Sequence, residues 1–151
     1  EIREELANLG AELLIKTIPD YLNGKIEPQP QNHAQATFTK KFSLGDGKIN
    51  WHKSVQEIFN QIRALNPEPG TWTTWNGQKL KISAAKISTS QPNHAHEEIY
   101  VGKVYKEKDL IYIPTAKGHL ELIRVQLEGG RAMGIHDFAR GHINFIGTQL
   151  N

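Results

Sequence analysis

The amino-acid sequence predicts a mainly β fold: a small, partly open antiparallel barrel with one or two helices, preceded by a helical N-terminal segment and an extended linker. Between residues 71 and 128, short apolar stretches alternate with turn signals at the spacing that is typical of small barrels. Few helical patterns accompany these stretches. A stretch rich in proline and glutamine, residues 25–37, separates the first helical segment from everything that follows.

The composition is that of a folded domain. The chain has 151 residues, of which 38% are hydrophobic and 23% charged, which is enough for one core with an appendage. No apolar run approaches the length that spans a membrane, and no basic-then-apolar leader is seen, so we expect no membrane association. Cysteine is absent, which excludes disulfides and thiolate metal sites and fits a reducing, cytoplasmic location.

Charge is distributed unevenly along the chain. Residues 1–39 contain three basic and six acidic residues, a net charge of −3, whereas residues 40–151 contain fifteen and ten, a net charge of +5. A basic domain behind an acidic lead-in indicates a polyanionic partner. Charge that only keeps the protein soluble explains the same numbers equally well.

The N-terminal segment, residues 1–24, has leucines and isoleucines at helical spacing. Gly10 predicts a break between two short helices, and Gly24 predicts the end of the second. Pro19 predicts either a kink or the start of the last turn. Helices this short cannot bury an apolar stripe by themselves, so we expect residues 1–24 to pack on another domain. The linker follows at residues 25–37, and the barrel domain is predicted over residues 38–151.

A second helix is predicted to begin after Ser54. Ser54 and Glu57 have the spacing of a capping box, in which each side chain accepts a hydrogen bond from the other residue's backbone amide. The apolar face of this helix consists of Val55, Ile58, Phe59, Ile62 and Leu65. Pro67 should end the helix, because a residue before proline is disfavoured in the α region. Residues assigned to structural roles in this region are Ser54, Glu57, Arg63, Asn66, Pro67, Pro69 and Gly70. For Arg63, two readings stay open: an anchor of the turn, or a phosphate contact.

The hairpin that follows has the clearest local signal in the chain. Residues 72–75 and 78–88 flank Asn76-Gly77, the dipeptide preferred in type I′ turns. Further strands are predicted within residues 98–108, 109–115 and 119–128, and a short helix over residues 135–141.

Catalytic motifs are missing from the sequence. Neither a nucleophile elbow, nor a phosphate-binding loop, nor a dinucleotide fingerprint occurs. His94 and His96, followed by Glu97 and Glu98, are metal-ligand types, but no third ligand has a fixed spacing to them, so we predict no metal site.

Basic residues interleaved with apolar ones indicate a nucleic-acid surface. Lys79 and Lys81 share one face of a strand, while Leu80 and Ile82 face the core. Phosphates are bound by such cationic faces, although a strand with alternating lysines is often only a solvated face. The candidate nucleic-acid-binding residues are Lys40, Lys41, Lys48, Lys79, Lys81, Lys103 and Arg131. The tryptophans either stack on bases or pack in the core.

Several stretches together resemble the C-terminal part of the methionyl-tRNA formyltransferase family. They are "KINW", "IRALNPEPGTW", "GQKLKI", "VQLEGGRAM" and "HDFARGH". The lead-in "LANLGAELLIKTIPDYLNGKIEPQPQ" is similar to the last helices and linker of that family's catalytic domain. The resemblance therefore implies that residues 1–24 are the tail of a catalytic domain, 25–37 a linker, and 38–151 an OB-like barrel. Asn50 and Gly134 depart from the family pattern, where Asp and Ser are expected.

The resemblance also implies a function for the parent enzyme. Members formylate the amino group of methionyl-initiator tRNA for translation initiation, with 10-formyltetrahydrofolate as co-substrate. Their chemistry resides in an N-terminal domain that uses an Asn, a His and an Asp. Asn93-His94-Ala95-His96 only superficially echoes that set and lies in the wrong domain, so no catalytic residue is assigned and this chain alone is expected to be inactive.

The expected partners are initiator methionyl-tRNA and the N-terminal catalytic domain of the same protein, with no cofactor held by this part of the chain and a monomeric state. Two alternatives remain open. One is a packing module of a related folate-dependent or sugar-nucleotide formyltransferase, and the other is a generic oligonucleotide-binding barrel.

Overall fold

The computed structural model describes residues 2–89 and 100–151. The chain divides into two compact units, Glu1–Lys40 and Lys41–Asn151. The predicted division into a domain tail (residues 1–24), a linker (25–37) and a barrel domain (38–151) stays a prediction.

The first unit contains one long helix, α1, at Ile2–Leu22. The predicted break at Gly10 is wrong, because the helix continues through this position; one glycine costs a helix only about 1 kcal/mol. The helix ends in a Schellman motif. Gly24 has φ +67°, its amide donates to the Tyr21 carbonyl at 3.1 Å, and the Lys25 amide donates to the Asp20 carbonyl at 2.9 Å. Not one side chain of α1 is buried.

The second unit is built on an antiparallel sheet, which confirms the mainly β prediction. Its strands are β1 Trp72–Trp75, β2 Gln78–Ile87, β3 Tyr105–Glu107, β4 Leu110–Pro114, β5 His119–Leu127 and β6 Met133–Gly134. The order is β1-β2-β5-β4-β3, and β6 pairs with β5. Within the predicted strand at residues 98–108, the described strand is limited to β3. Residues 101–102 form a turn, Lys103 makes only an isolated bridge to Gln149, and residues 98–99 lie outside the described chain.

The C-terminal segment spans the gap between the two edges of the sheet. Thr74 of β1 exchanges two backbone hydrogen bonds with Asn151, at 2.7 and 3.1 Å. The Leu150 amide donates to the Gly102 carbonyl at 3.0 Å, close to the start of β3. The curled sheet thereby becomes a barrel whose two edges are joined by irregular backbone, in agreement with the predicted partly open form.

The β1–β2 hairpin has the predicted turn. Asn76 and Gly77 have φ +49° and +78°, as a type I′ turn requires. This two-residue turn sets the register, so that Trp75 pairs with Gln78 and Trp72 pairs with Lys81. Because side chains alternate along a strand, Trp75 enters the core and Trp72 lies on the outer face.

Helix α2, at Val55–Leu65, packs its predicted apolar face into the core and contacts β2 and β5. The capping box is present: the Glu57 amide donates to Ser54 Oγ at 3.3 Å, and the Ser54 amide donates to Glu57 Oε2 at 3.0 Å. Ser54 Oγ also donates to the same carboxylate at 2.6 Å. These bonds from Ser54 lower the pKa of Glu57. Helix α3, at Ile135–Gly141, has its predicted bounds.

Candidate nucleic-acid interface

The turn after α2 is held to the sheet by one asparagine. Asn66 Nδ2 donates to the Ile62 carbonyl at 2.7 Å and to the Ile82 carbonyl at 3.3 Å. Thr71 Oγ1 donates to the same Ile82 carbonyl at 2.7 Å, and the Gly70 amide donates to Leu65 O at 2.8 Å. The peptide bonds before Pro67 and Pro69 are both cis. The segment therefore connects the helix to β2 through buried polar contacts, which suits the structural role predicted for it.

Gly70 brings this turn against a candidate binding residue. It has φ +83°, and a Cβ placed there would lie 2.5 Å from Lys81 Cε and 3.1 Å from Lys81 Nζ. The side chain of Lys81 therefore lies across the bare glycine backbone. A larger residue at position 70 would displace the Lys81 ammonium as well as strain the turn.

Two other candidate lysines lie over the ring of Trp72. Lys79 Nζ is 5.1 Å and Lys48 Nζ is 5.8 Å from the ring centroid, both within the range of a cation–π interaction. The indole N–H of Trp72 donates to the Leu44 carbonyl at 2.9 Å, which fixes the orientation of the ring. The half-buried tryptophan thus holds two ammonium groups near the surface.

A cleft of about 340 Å³ opens beside this ring; we call it the Trp72 cleft. Lys79 and Lys81 line it together with two carboxylates, those of Glu68 and Glu128. The backbone holds one of these carboxylates in place, since the Lys79 amide donates to Glu128 Oε2 at 3.3 Å. The cleft therefore combines an aromatic surface, two cations and two acidic groups.

Most of the candidate cations carry charge that no carboxylate neutralises in the described part of the chain. Among residues 2–89 and 100–151, six of them make no ion pair with a carboxylate: Lys41, Lys48, Lys79, Lys81, Lys103 and Arg131. An exposed cation without a carboxylate partner can bind a phosphate at little desolvation cost.

The candidates do not all lie together. Lys48, Lys79 and Lys81 surround Trp72, and Arg131 follows the turn whose Gly129 lines the Trp72 cleft. Lys103 contacts a different pair of rings, with Nζ 5.4 Å from the ring centroid of Tyr100 and 5.7 Å from that of Tyr105.

The remaining candidates precede the barrel. Lys41 is exposed at the start of the second unit, and Lys40 belongs to the first unit. Arg63 extends over the ring of Phe59, with Cζ 5.5 Å from its centroid, and within the described chain it donates no hydrogen bond to the turn. Both predicted roles of Arg63, anchor of the turn and phosphate contact, therefore stay open.

Sequence reasoning missed the role of Trp72 as the common support for these lysines. The signal was present in the hairpin turn, because a two-residue turn at Asn76-Gly77 places residue 72 opposite 81 and residue 74 opposite 79. The acidic residues of the cleft had no such signal. Glu68 and Glu128 are brought there by the turn after α2 and by the end of β5.

Other kinds of site find no support in the described part of the chain. No three His, Asp or Glu side chains there are grouped as metal ligands, and the His94–Glu98 stretch lies outside the described residues. None of the helices described is both long and apolar enough to cross a membrane.

The chain resembles known proteins in sequence and, more distantly, in fold. The family described as "Formyl transferase, C-terminal domain" matches residues 41–143. The methionyl-tRNA formyltransferase of Lactococcus lactis subsp. cremoris is 38% identical over 139 residues, which are 91% of this chain and 43% of that protein. The methionyl-tRNA formyltransferase of Streptococcus pyogenes serotype M12 is 42% identical over 148 residues, 97% of this chain and 44% of that protein.

The similar solved structures are more distant in sequence. HypX from Aquifex aeolicus superposes with a TM-score of 0.64 at 12% identity, over 89% of this chain and 24% of that one. A second HypX structure, in complex with tetrahydrofolic acid, gives a TM-score of 0.60 at 13% identity, over 89% of this chain and 23% of that one. This likeness concerns the fold alone. The chain spans less than half the length of the curated relatives it matches. Because the family match covers most of the chain and coincides with the barrel unit, the chain belongs to the formyl transferase C-terminal domain family.

Proposed function

We propose that this chain is the tRNA-binding C-terminal part of an enzyme that formylates the amino group of methionyl-initiator tRNA for translation initiation in the cytoplasm. The observation that carries the proposal is the group of cations without carboxylate partners around Trp72, on a barrel whose curated relatives are named methionyl-tRNA formyltransferases. The ammonium groups of Lys48, Lys79 and Lys81 would neutralise phosphates of the tRNA backbone.

The chemistry of formyl transfer would belong to the N-terminal catalytic domain of the whole protein, with 10-formyltetrahydrofolate as co-substrate. Two findings support this division of roles. The relatives are more than twice as long as the stretch matched here, and the related fold of HypX has been solved with tetrahydrofolic acid in a much longer chain. The apolar side chains of α1 would then pack on that catalytic domain, and the chain alone would transfer no formyl group.

The experiment is a titration of the chain with initiator and elongator tRNA at several salt concentrations, in parallel with a formylation assay. We expect the logarithm of the binding constant to fall linearly with the logarithm of salt concentration, with about 0.7–0.9 in slope for each phosphate neutralised. Initiator and elongator tRNA should bind similarly through this surface, because phosphate contacts position a nucleic acid without reading its sequence. The assay should yield no formylmethionyl-tRNA.

Absence of salt-dependent tRNA binding would overturn the proposal and favour the packing-module alternative. Formyl transfer by the chain alone would overturn the separation of catalysis from this domain.

A further inference from the structure

We infer that the Trp72 cleft binds a single unpaired nucleotide of an RNA, with the base stacked on the indole of Trp72 and the phosphate held by Lys79 and Lys81. This inference rests on the proposed function and deepens it, since it assigns to one part of the basic surface a contact with an unpaired residue of the RNA.

Trp72 is held in a fixed orientation. Its indole N–H is occupied by the Leu44 carbonyl, and Gly47 lies close to the edge of the ring, since a Cβ added there would be 3.4 Å from Trp72 Cδ1. The ring is thereby fixed before any ligand arrives. Trp51 and Trp75 are only 4% and 5% exposed, so Trp72 alone of the three reaches the surface, where a stacking base would displace the Lys48 and Lys79 ammonium groups from over the ring.

The shape and lining of the Trp72 cleft also suit a nucleotide. Leu44, Pro69 and Leu127 extend the apolar surface of the indole. The volume of about 340 Å³ lies at the lower end of the range for small-molecule sites, roughly 300–1,000 Å³. Such a space suits one nucleotide. A duplex would not enter it, because the bases of a duplex are stacked inside the helix.

Charges of both signs line the Trp72 cleft. A cleft that contacts only the phosphate backbone gains nothing from acidic groups, yet Glu68 and Glu128 line this one beside its two lysines. A nucleotide explains both signs, because its phosphate is an anion and the amino group of a base donates to a carboxylate, as cytosine N4 does. Gln126, also in the lining, adds a further polar side chain that can donate or accept. Cytidine and adenosine, which carry exocyclic amino groups, should therefore be preferred to uridine.

The test compares single-stranded hexamers of C, A and U with an RNA duplex, using tryptophan emission and the anisotropy of labelled RNA. C and A hexamers should quench the emission of the wild-type chain. Trp72→Leu should weaken their binding by roughly 5- to 100-fold, the equivalent of about 1–3 kcal/mol of base–aromatic stacking. Binding of the duplex should weaken by a much smaller factor, because the duplex loses only the ring's support of Lys48 and Lys79, and Trp72→Phe should restore most of the single-strand affinity.

A second variant tests the assignment of the acidic group without altering the aromatic ring. Glu128→Gln retains an oxygen that can accept from the Lys79 amide, so the fold should persist, while the preference for C over U should decrease. Equal weakening of single strand and duplex by Trp72→Leu, or an unchanged preference in Glu128→Gln, would overturn the inference.

Titrations of the wild-type chain distinguish failure of the nucleotide cleft from failure of the proposed function. If the chain binds tRNA and duplex with the expected salt dependence but Trp72→Leu has no effect on the hexamers, the nucleotide cleft is refuted and the proposed function stands. If the wild-type chain binds neither tRNA nor hexamers, both are refuted.

Discussion

The inner and outer faces of one β hairpin have different roles, and the two tryptophans of β1 illustrate this. Trp75, on the inner face, packs edge-on against Phe138 and Phe145 with ring centroids 5.5 Å apart in each case. Trp72, three residues earlier on the outer face, is covered by the ammonium groups of Lys48 and Lys79. Identical side chains therefore stabilise the core in one position and hold charge at the surface in the other.

The paired strand β2 repeats this division. Leu80 and Ile82 are fully buried, whereas Lys79 is exposed and Lys81 is half-buried beside Gly70. Apolar area removed from water contributes about 25 cal/mol per Å², so the inner residues contribute to folding in a way that the outer lysines do not. Changes on the two faces should therefore separate stability from binding.

The largest effect on stability is expected for Trp75→Ala. Truncation would leave a cavity among Phe138, Phe145 and the rest of the core, and such changes cost about 3–5 kcal/mol. Denaturant unfolding measures the loss. Trp75→Phe is the matched control: the indole N–H has no hydrogen-bond partner among the described residues, so phenylalanine should cost less than about 1.5 kcal/mol. A loss below about 1 kcal/mol in Trp75→Ala would contradict the role of the inner face.

A smaller effect is expected where the turn after α2 is bound to β2. Asn66→Ala and Thr71→Val should each cost about 1 kcal/mol, since either residue alone still donates to the Ile82 carbonyl. The double variant leaves that carbonyl without either donor and should cost more than the sum of the two. A double-mutant cycle of unfolding free energies measures this coupling. Strict additivity would show that the two donors act independently.

A still smaller effect concerns the cap of α2, and it depends on pH. The hydrogen bonds from Ser54 stabilise the ionised form of Glu57 and lower its pKa, so its contribution to stability is present above the ordinary glutamate pKa, about 4.3. The contribution is lost as the pH falls through the lowered value. Wild type should therefore exceed Glu57→Gln in unfolding free energy at neutral pH, and the difference should disappear in acid. A difference that grows with acidity would contradict this assignment.

Local sequence signals predicted much of this architecture, because the relevant interactions are short-range. The capping box at Ser54, the type I′ turn at Asn76-Gly77 and the bounds of α3 each depend on neighbouring residues. The break at Gly10 was predicted wrongly, since a single glycine weakens a helix without ending it.

The candidate site was predictable only in part. Lys79 and Lys81 follow from strand alternation, and their position beside Trp72 follows from the hairpin register. The carboxylates of Glu68 and Glu128 meet there only because separate elements converge in the folded barrel. Lys103 lies against the rings of Tyr100 and Tyr105, a contact that strand alternation did not predict, and its part in the basic surface stays a prediction.

The most direct test of this separation of roles is a paired measurement on Lys79→Ala/Lys81→Ala and on a control that removes the same charge, Lys86→Ala/Lys106→Ala, at two other exposed strand positions. Unfolding free energy and the salt dependence of tRNA binding are measured for both. The account predicts that both variants fold like wild type, and that only the first lowers the log–log salt slope, by about one to two, with weaker binding of every tRNA. Wild-type affinity and slope in the first variant, or an equal change in both, would show that the outer face of the hairpin is ordinary solvated charge.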